Sequence, residues 1–348
     1  MRSIALAVPL AALAAFSFAC SIGTEEEVEV DPTRSAGAGQ IFRADAGLDA
    51  LIPANAQIEK IAGGYIFTEG PLWVTRAWEG QPFLLFSDVP GNVIYKWDPQ
   101  SNQASEFKNP VFEGQADEGS FIGSNGLTLD AEGNLLVCEH GNRRISKVTP
   151  AGQWSVLVDR YDGKRLNSPN DLTWGPNGWL YFTDPPYGLA GQDEDEAKDL
   201  DFNGVFRVAP DGKTIEQLER RMTRPNGIGF SPDGKLLYVG NSDPDEKLWM
   251  VFPVKDDGTL GLGRKFADVT YETAEGLPDG LKLDNQGNLF ATGPGGVWIY
   301  SPDGTHLGTI QPEEVPANVG WGGDGTTLYM TARTGVYRIK LSTGGKIP

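Results

Sequence analysis

Histidine and cysteine are nearly absent from this chain. Its 348 residues include only His140 and His306, Cys20 and Cys138. So few imidazoles and thiols exclude a multi-histidine zinc site and a disulfide scaffold. Basic residues are also scarce: 29 Lys and Arg stand against 47 Asp and Glu, a formal net charge of −18. Phosphate binding draws its affinity from Lys and Arg, so nucleic acid is excluded as a partner. Long apolar runs are missing beyond the amino terminus, which rules out a polytopic membrane protein. No G-x-S-x-G elbow, Walker loop or dinucleotide glycine motif is present, and two histidines leave little room for a Ser-His-Asp triad. The stretch Asp199-x-Asp201-x-Asn203-Gly204 begins like an EF-hand loop. Its twelfth position is Pro210, where a bidentate Glu is required, so it reads as a solvated acidic loop.

What is present is a globular balance, 39% hydrophobic and 22% charged, with 45 Gly and 24 Pro suited to short strands and tight turns. The first twenty residues, MRSIALAVPLAALAAFSFAC, combine Arg2, an apolar run and small residues before Cys20. This is a secretory signal pattern, so a periplasmic or secreted protein is expected. Two processing routes stay open. One is cleavage after Ala19. The other is lipid attachment at Cys20, since the segment resembles a bacterial lipoprotein signal, with Ser17 where such signals usually carry Leu. A lipid on Cys20 would be the one membrane attachment. Residues 21–50 are acidic and then Gly/Ala-rich, and read as a flexible leader before a single domain over 51–345. Cys138 lies in LLVCEH, a strand-like run, and is expected to be a buried, inert thiol without a disulfide partner.

Four segments share one pattern: Asn125-Gly126-LTLDAEGNLLV, Asn170-Asp171-LTWGPNGWLYF, Asn226-Gly227-IGFSPDGKLLYV and Asp279-Gly280-LKLDNQGNLFA. Each holds an alternating apolar stretch, a turn with glycine at position 133, 178, 234 or 287, and a second apolar strand. That is a β-hairpin signature. Imperfect copies at Glu69-Gly70-Pro71-Leu72-Trp73 and Asn318-VGWGGDGTTLYMT bracket the four. The starts at 125, 170, 226 and 279 are 45, 56 and 53 residues apart, the repeat length of a propeller blade with loop insertions. No long amphipathic helix pattern interrupts residues 55–345. Six copies predict an all-β, six-bladed β-propeller, closed by the strand near 58–65 pairing with the last blade. A closed ring has no free sheet edge to share, so a monomer is expected.

Equivalent positions in successive blades lie at one depth around the axis. Glu69, Asn125, Asn170, Asn226, Asp279 and Asn318 therefore form a ring of oxygen-bearing side chains facing the channel. Two carboxylates among amides make a hard site suited to Ca²⁺, or less tightly to Mg²⁺ or Mn²⁺. The pattern alone leaves open a satisfied polar channel without metal.

The motifs FTEGPLW (67–73), SNGLTLD (124–130), CEHGNRR (138–144), SPNDLTW and FTDPPYG (168–174, 182–188), RPNGIGFSPDG (224–234) and LPDGLKLD (277–284) resemble the SMP-30/gluconolactonase family. The likeness spans about residues 50–340 and is strongest to its bacterial gluconolactonase branch. The resemblance implies a six-bladed propeller with one divalent cation, usually Ca²⁺ and with Mg²⁺, Mn²⁺ or Zn²⁺ as substitutes, that opens a sugar-acid lactone. It assigns Glu69, Asn170, Asn226 and Asp279 to the metal, and Asp279 also to catalysis. Asn125, His140 and Tyr187 are the candidate substrate contacts; His140 and Tyr187 are equally readable as structural. Two departures stand out: Ser168 where some members carry Arg, and Trp321 in N-x-x-W-G-G where Phe is commoner. Two other functions fit the same scaffold, an aryl-ester or phosphotriester hydrolase and a non-catalytic periplasmic module with structural calcium.

Overall fold

Each repeat is closed by its turn glycine. Gly133, Gly178, Gly234 and Gly287 have φ of +81, +77, +69 and +88°, angles that strain any residue with a Cβ. A carboxylate organises two of these turns: Asp130 accepts from the N–H groups of Glu132 and Asn134, and Asp284 from those of Gln286 and Asn288.

The computed structural model describes residues 33–75, 78, 80–116 and 120–348. Its hairpins assemble into six antiparallel blades, so the six-bladed propeller is present. The innermost strands, in chain order, are Thr68–Val74, Ser124–Leu129, Leu172–Trp174, Pro225–Phe230, Leu281–Leu283 and Pro316–Gly322. The first, second and sixth are buried at every position, because blades pack face to face and leave no solvated side. Leu72, Leu85, Leu127 and Val137, for example, form one core between blades one and two. Strand Ile58–Gly63 pairs with Gly335–Lys340 and completes blade six, the closure expected from sequence.

Around the axis the inner strands meet through glycine. A Cβ on Gly70, Gly126 or Gly227 would lie 2.2, 2.6 or 2.1 Å from the carbonyl oxygen of Asn125, Asn170 or Asp279. The N–H groups of Gly126 and Gly227 donate to those oxygens of Asn170 and Asp279, at 2.8 and 3.2 Å. Glycine follows these ring residues because neighbouring backbones touch there.

The amino-terminal leader needs correction. From residue 33 onward it is part of the fold. Strands Thr33–Ser35 and Gly39–Arg43 extend blade five to six strands, with Gly39–Arg43 pairing against His306–Pro312. Ile41, Leu48, Leu51 and Ile52 are buried with Phe290, Val297 and Ile310. Composition misled because the apolar residues are few; what orders them is the open outer edge of blade five. The signal segment at 1–20, Cys20 and the acidic run at 21–32 lie outside the described residues. Among the described residues no helix is long and apolar enough to cross a membrane. In the acidic insertion, Asp199 and Asp201 are exposed as expected. Asn203 is instead buried and donates to Asp193 and to the Thr223 carbonyl.

Candidate metal and catalytic centre

All six ring residues sit where an inner strand begins, and four lie at irregularities of the ladder. Pairing skips between Glu69 and Leu72, Ser124 and Leu127, Pro225 and Ile228, and Pro316 and Asn318. Such bulges release a side chain from the alternation of the pleat and re-aim it, here toward the channel.

The ring is linked side chain to side chain. Asn318 Nδ2 donates to Glu69 Oε2 at 2.9 Å, and Gly70 N–H donates to the same oxygen. Asn125 Nδ2 donates to Asn170 Oδ1 at 2.8 Å, and Asn170 Nδ2 to Asn226 Oδ1 at 2.5 Å. Asn226 Nδ2 continues to Ser242 Oγ at 2.8 Å. Asp279 is within hydrogen-bonding reach of the Asn226 side chain and feels the charge of Glu69. Glu69, Asn125, Asn170, Asn226 and Asn318 are buried, whereas Asp279 keeps partial access to solvent.

Burial dominates the electrostatics. It pushes the Glu69 carboxyl up to about 7, against hydrogen bonds from Asn318 and Gly70, with Asp171 raising it further and Lys282 opposing. Asp279 is pushed well above the usual carboxylate range by burial and then by Glu69 and Asp171. Two carboxylates, one buried and one half-buried, with this little compensation are costly unless protonated or met by a cation. Asn125 Oδ1 adds a buried oxygen without a hydrogen-bond partner. Two carboxylates, amide oxygens and an orphaned oxygen fit a hard divalent cation. Among the described residues no cluster of three His, Cys, Asp or Glu offers another metal site.

The candidate substrate contacts also gather here. His140 is fully buried with Nε2 3.4 Å from Asn125 Nδ2. Desolvation lowers it to about 4, only partly offset by the Phe121 backbone and Asn170, so it is neutral at pH 7. Tyr187 is half-buried, its hydroxyl near Ser242 and Asn226. Its pKa is raised by burial first and then by Asp279, so it stays a neutral phenol. Ser168, in contrast, is a loop staple: its hydroxyl donates to Pro185 O at 2.6 Å and accepts from Gly188 N–H at 2.9 Å.

Some residues escaped the sequence reading. Asp88 and Asp184 end the second strands of blades one and three, and Asn241 lies two residues before the end of the second strand of blade four, Leu236–Asp243. They accept from the backbone N–H groups of Ile66 and Phe67, of Asn167 and Ser168, and of Arg224. Those amides lie two or three residues before Glu69, Asn170 and Asn226, so each clamp orients a ring residue. Their signal was present as Asp or Asn at one place in LLFSD, LYFTD and LYVGN. Cys138 is buried and free, and burial pushes its thiol far up, as an inert thiol requires. It takes the strand position at which Ser87, Thr183 and Thr292 donate to carbonyls of the neighbouring inner strand. Asp171 and Lys282 were also missed; they lie beside the ring, 3.5 Å apart.

A six-bladed propeller with a ring of two carboxylates and four amides at the heads of its inner strands defines the class, a fold that lactone hydrolases share. Within that class, the SMP-30/Gluconolactonase/LRE-like model matches residues 67–334, and the chain belongs to that family. It is 39% identical over 355 residues to a gluconolactonase of Zymomonas mobilis, covering 99% of this chain and 97% of that one. A gluconolactonase structure from Xanthomonas campestris superposes with a TM-score of 0.74 at 31% identity, over 89% of this chain and 97% of that one. A calcium-binding regucalcin from Agrobacterium tumefaciens shares the fold, with a TM-score of 0.65 at 17% identity over 82% of this chain and 94% of the other.

Proposed function

We propose that the protein hydrolyses a sugar-acid lactone, such as glucono-1,5-lactone, at a divalent cation held by Glu69, Asn170, Asn226 and Asp279. The observation that carries this reading is the pair of under-compensated carboxylates, Glu69 and Asp279, in an otherwise amide-lined ring. Relatives named as gluconolactonases support the substrate class, and Ca²⁺ fits the oxygen-only donors. A bound cation would polarise the lactone carbonyl and offset the charge that gathers on its oxygen.

The chain's own residues do the rest. Positive charge in the ring favours the ionised form of Glu69 and Asp279. Asp279, with its partial access to solvent, takes a proton from the attacking water and returns it to the departing ring oxygen. Neutral His140, beside Asn125, and the Tyr187 phenol, beside Asp279, orient sugar hydroxyls without adding charge. On the signal pattern at 1–20 the protein acts outside the cytoplasm, and the mass of the processed amino terminus distinguishes a free end from a lipidated Cys20.

The test is hydrolysis of glucono-1,5-lactone by chelator-treated protein before and after addition of calcium, manganese or zinc, each against a no-enzyme blank. Metal-restored turnover is expected; a tightly bound metal without turnover would point to the structural-calcium module. One observation favours a second substrate class: Ile66 and Phe121 are exposed, three and four residues before Glu69 and Asn125. Apolar side chains there suit an aryl ester or phosphotriester, so such substrates belong in the same assay.

A further inference from the structure

Four of the six blades follow the ring residue with glycine: Gly70, Gly126, Gly227 and Gly280. Blade three places Asp171 there instead. Its carboxylate is buried, and one oxygen accepts the N–H of Leu172 at 2.8 Å. The other oxygen lies 3.5 Å from Lys282 Nζ, which also donates to the Leu281 carbonyl at 2.9 Å. Lys282 sits on the inner strand Leu281–Leu283, three residues after Asp279. It also lines a cavity of about 270 Å³ together with Leu172, Phe230 and Trp321. Both groups act on the ring: Asp171 disfavours charge on Glu69 and Asp279, and Lys282 favours charge on Glu69.

The count of charges is informative. Glu69, Asp171 and Asp279 supply three negative charges to one desolvated channel, and Lys282 supplies one positive. The remainder, near −2, is what a single divalent cation neutralises. Building on the metal reading above, we propose that Lys282 is an internal counter-ion, paired with Asp171, that sets the channel's charge for one divalent cation and weakens its binding. Lys282 is thus a positioning residue for charge and touches neither substrate nor metal.

The test is calorimetric titration of calcium into the chelator-treated full-length protein, independent of activity. Removing the ammonium in Lys282→Met should tighten calcium binding by about tenfold, because a like charge beside the ring is lost. Asp171→Asn should weaken it by a similar factor of about ten. The double variant restores the charge count and should return to within about threefold of the wild type. Melting temperatures of the chelated variants check that each is folded. A packing role would weaken binding in both single variants and further in the double. Unchanged or weaker binding in Lys282→Met, with wild-type binding intact, would overturn this inference alone. Absence of calcium, magnesium or manganese binding by the wild type would overturn the metal reading and this inference together.

Discussion

At the scale of single residues, the proposed reaction rests on two carboxylates, Glu69 and Asp279, that burial holds above the usual carboxylate range. Asp279→Asn keeps the shape but removes the base and one negative charge. Turnover of the lactone should fall by about 10² to 10⁴, the range general-base catalysis supplies, as kcat in saturating calcium will show. The elevated Glu69 gives a pH dependence with a definite sign. Its folded value, about 7, lies above the ordinary 4.5, so between these the native state holds more protons than the unfolded chain. Stability of the metal-free protein should therefore be greatest near pH 4 to 5, on this group's account, and decline as pH rises through about 7. Thermal melts in chelator at pH 5 and pH 8 will read the decline, and Glu69→Gln should reduce it. The positions of Glu69, Asn170, Asn226 and Asp279 were legible because one motif recurs at the head of successive hairpins, and the family resemblance singled these four out of the six. Asp171 and Lys282 were not, because each departs from the repeat and their proximity joins residues 111 positions apart.

At the scale of elements, hairpins and their glycines were legible, since period-2 alternation and positive-φ turns are local properties. The added strands of blade five were not. Gly39–Arg43 is ordered by hydrogen bonds to His306–Pro312 and by burial of Ile41 in a core supplied by distant chain. Ile41→Ala should accordingly cost about 2–5 kcal/mol, measured as a shift of the denaturant midpoint, whereas in a free leader it would cost under about 0.5. The clamps of Asp88, Asp184 and Asn241 belong to this scale too. Each ties the last residues of a second strand to the approach of an inner strand, so ring geometry is inherited from hairpin geometry.

At the scale of the molecule, the ring draws on every blade: Glu69, Asn125, Asn170, Asn226 and Asp279 come from blades one to five, and Asn318 of blade six bonds to Glu69; the proposed cation would be held by residues of four of them. Calcium that binds only the closed ring stabilises it by mass action, about 4 kcal/mol at a thousandfold excess over Kd. Chelation should lower the melting temperature by several degrees, and scanning calorimetry with and without calcium will show whether it does. The sequence by itself determined the blade count, the closing strand near 58–65 and the six residues of the ring, because a repeat carries its own geometry: the same place in successive hairpins becomes the same depth around an axis, whatever the loops between add. Only the tertiary structure decided which of those oxygens are desolvated, that Asp171 meets Lys282, and that the leader from residue 33 is a working part of blade five. Those outcomes depend on contacts between distant segments, and burial and charge proximity exist only once the ring has closed.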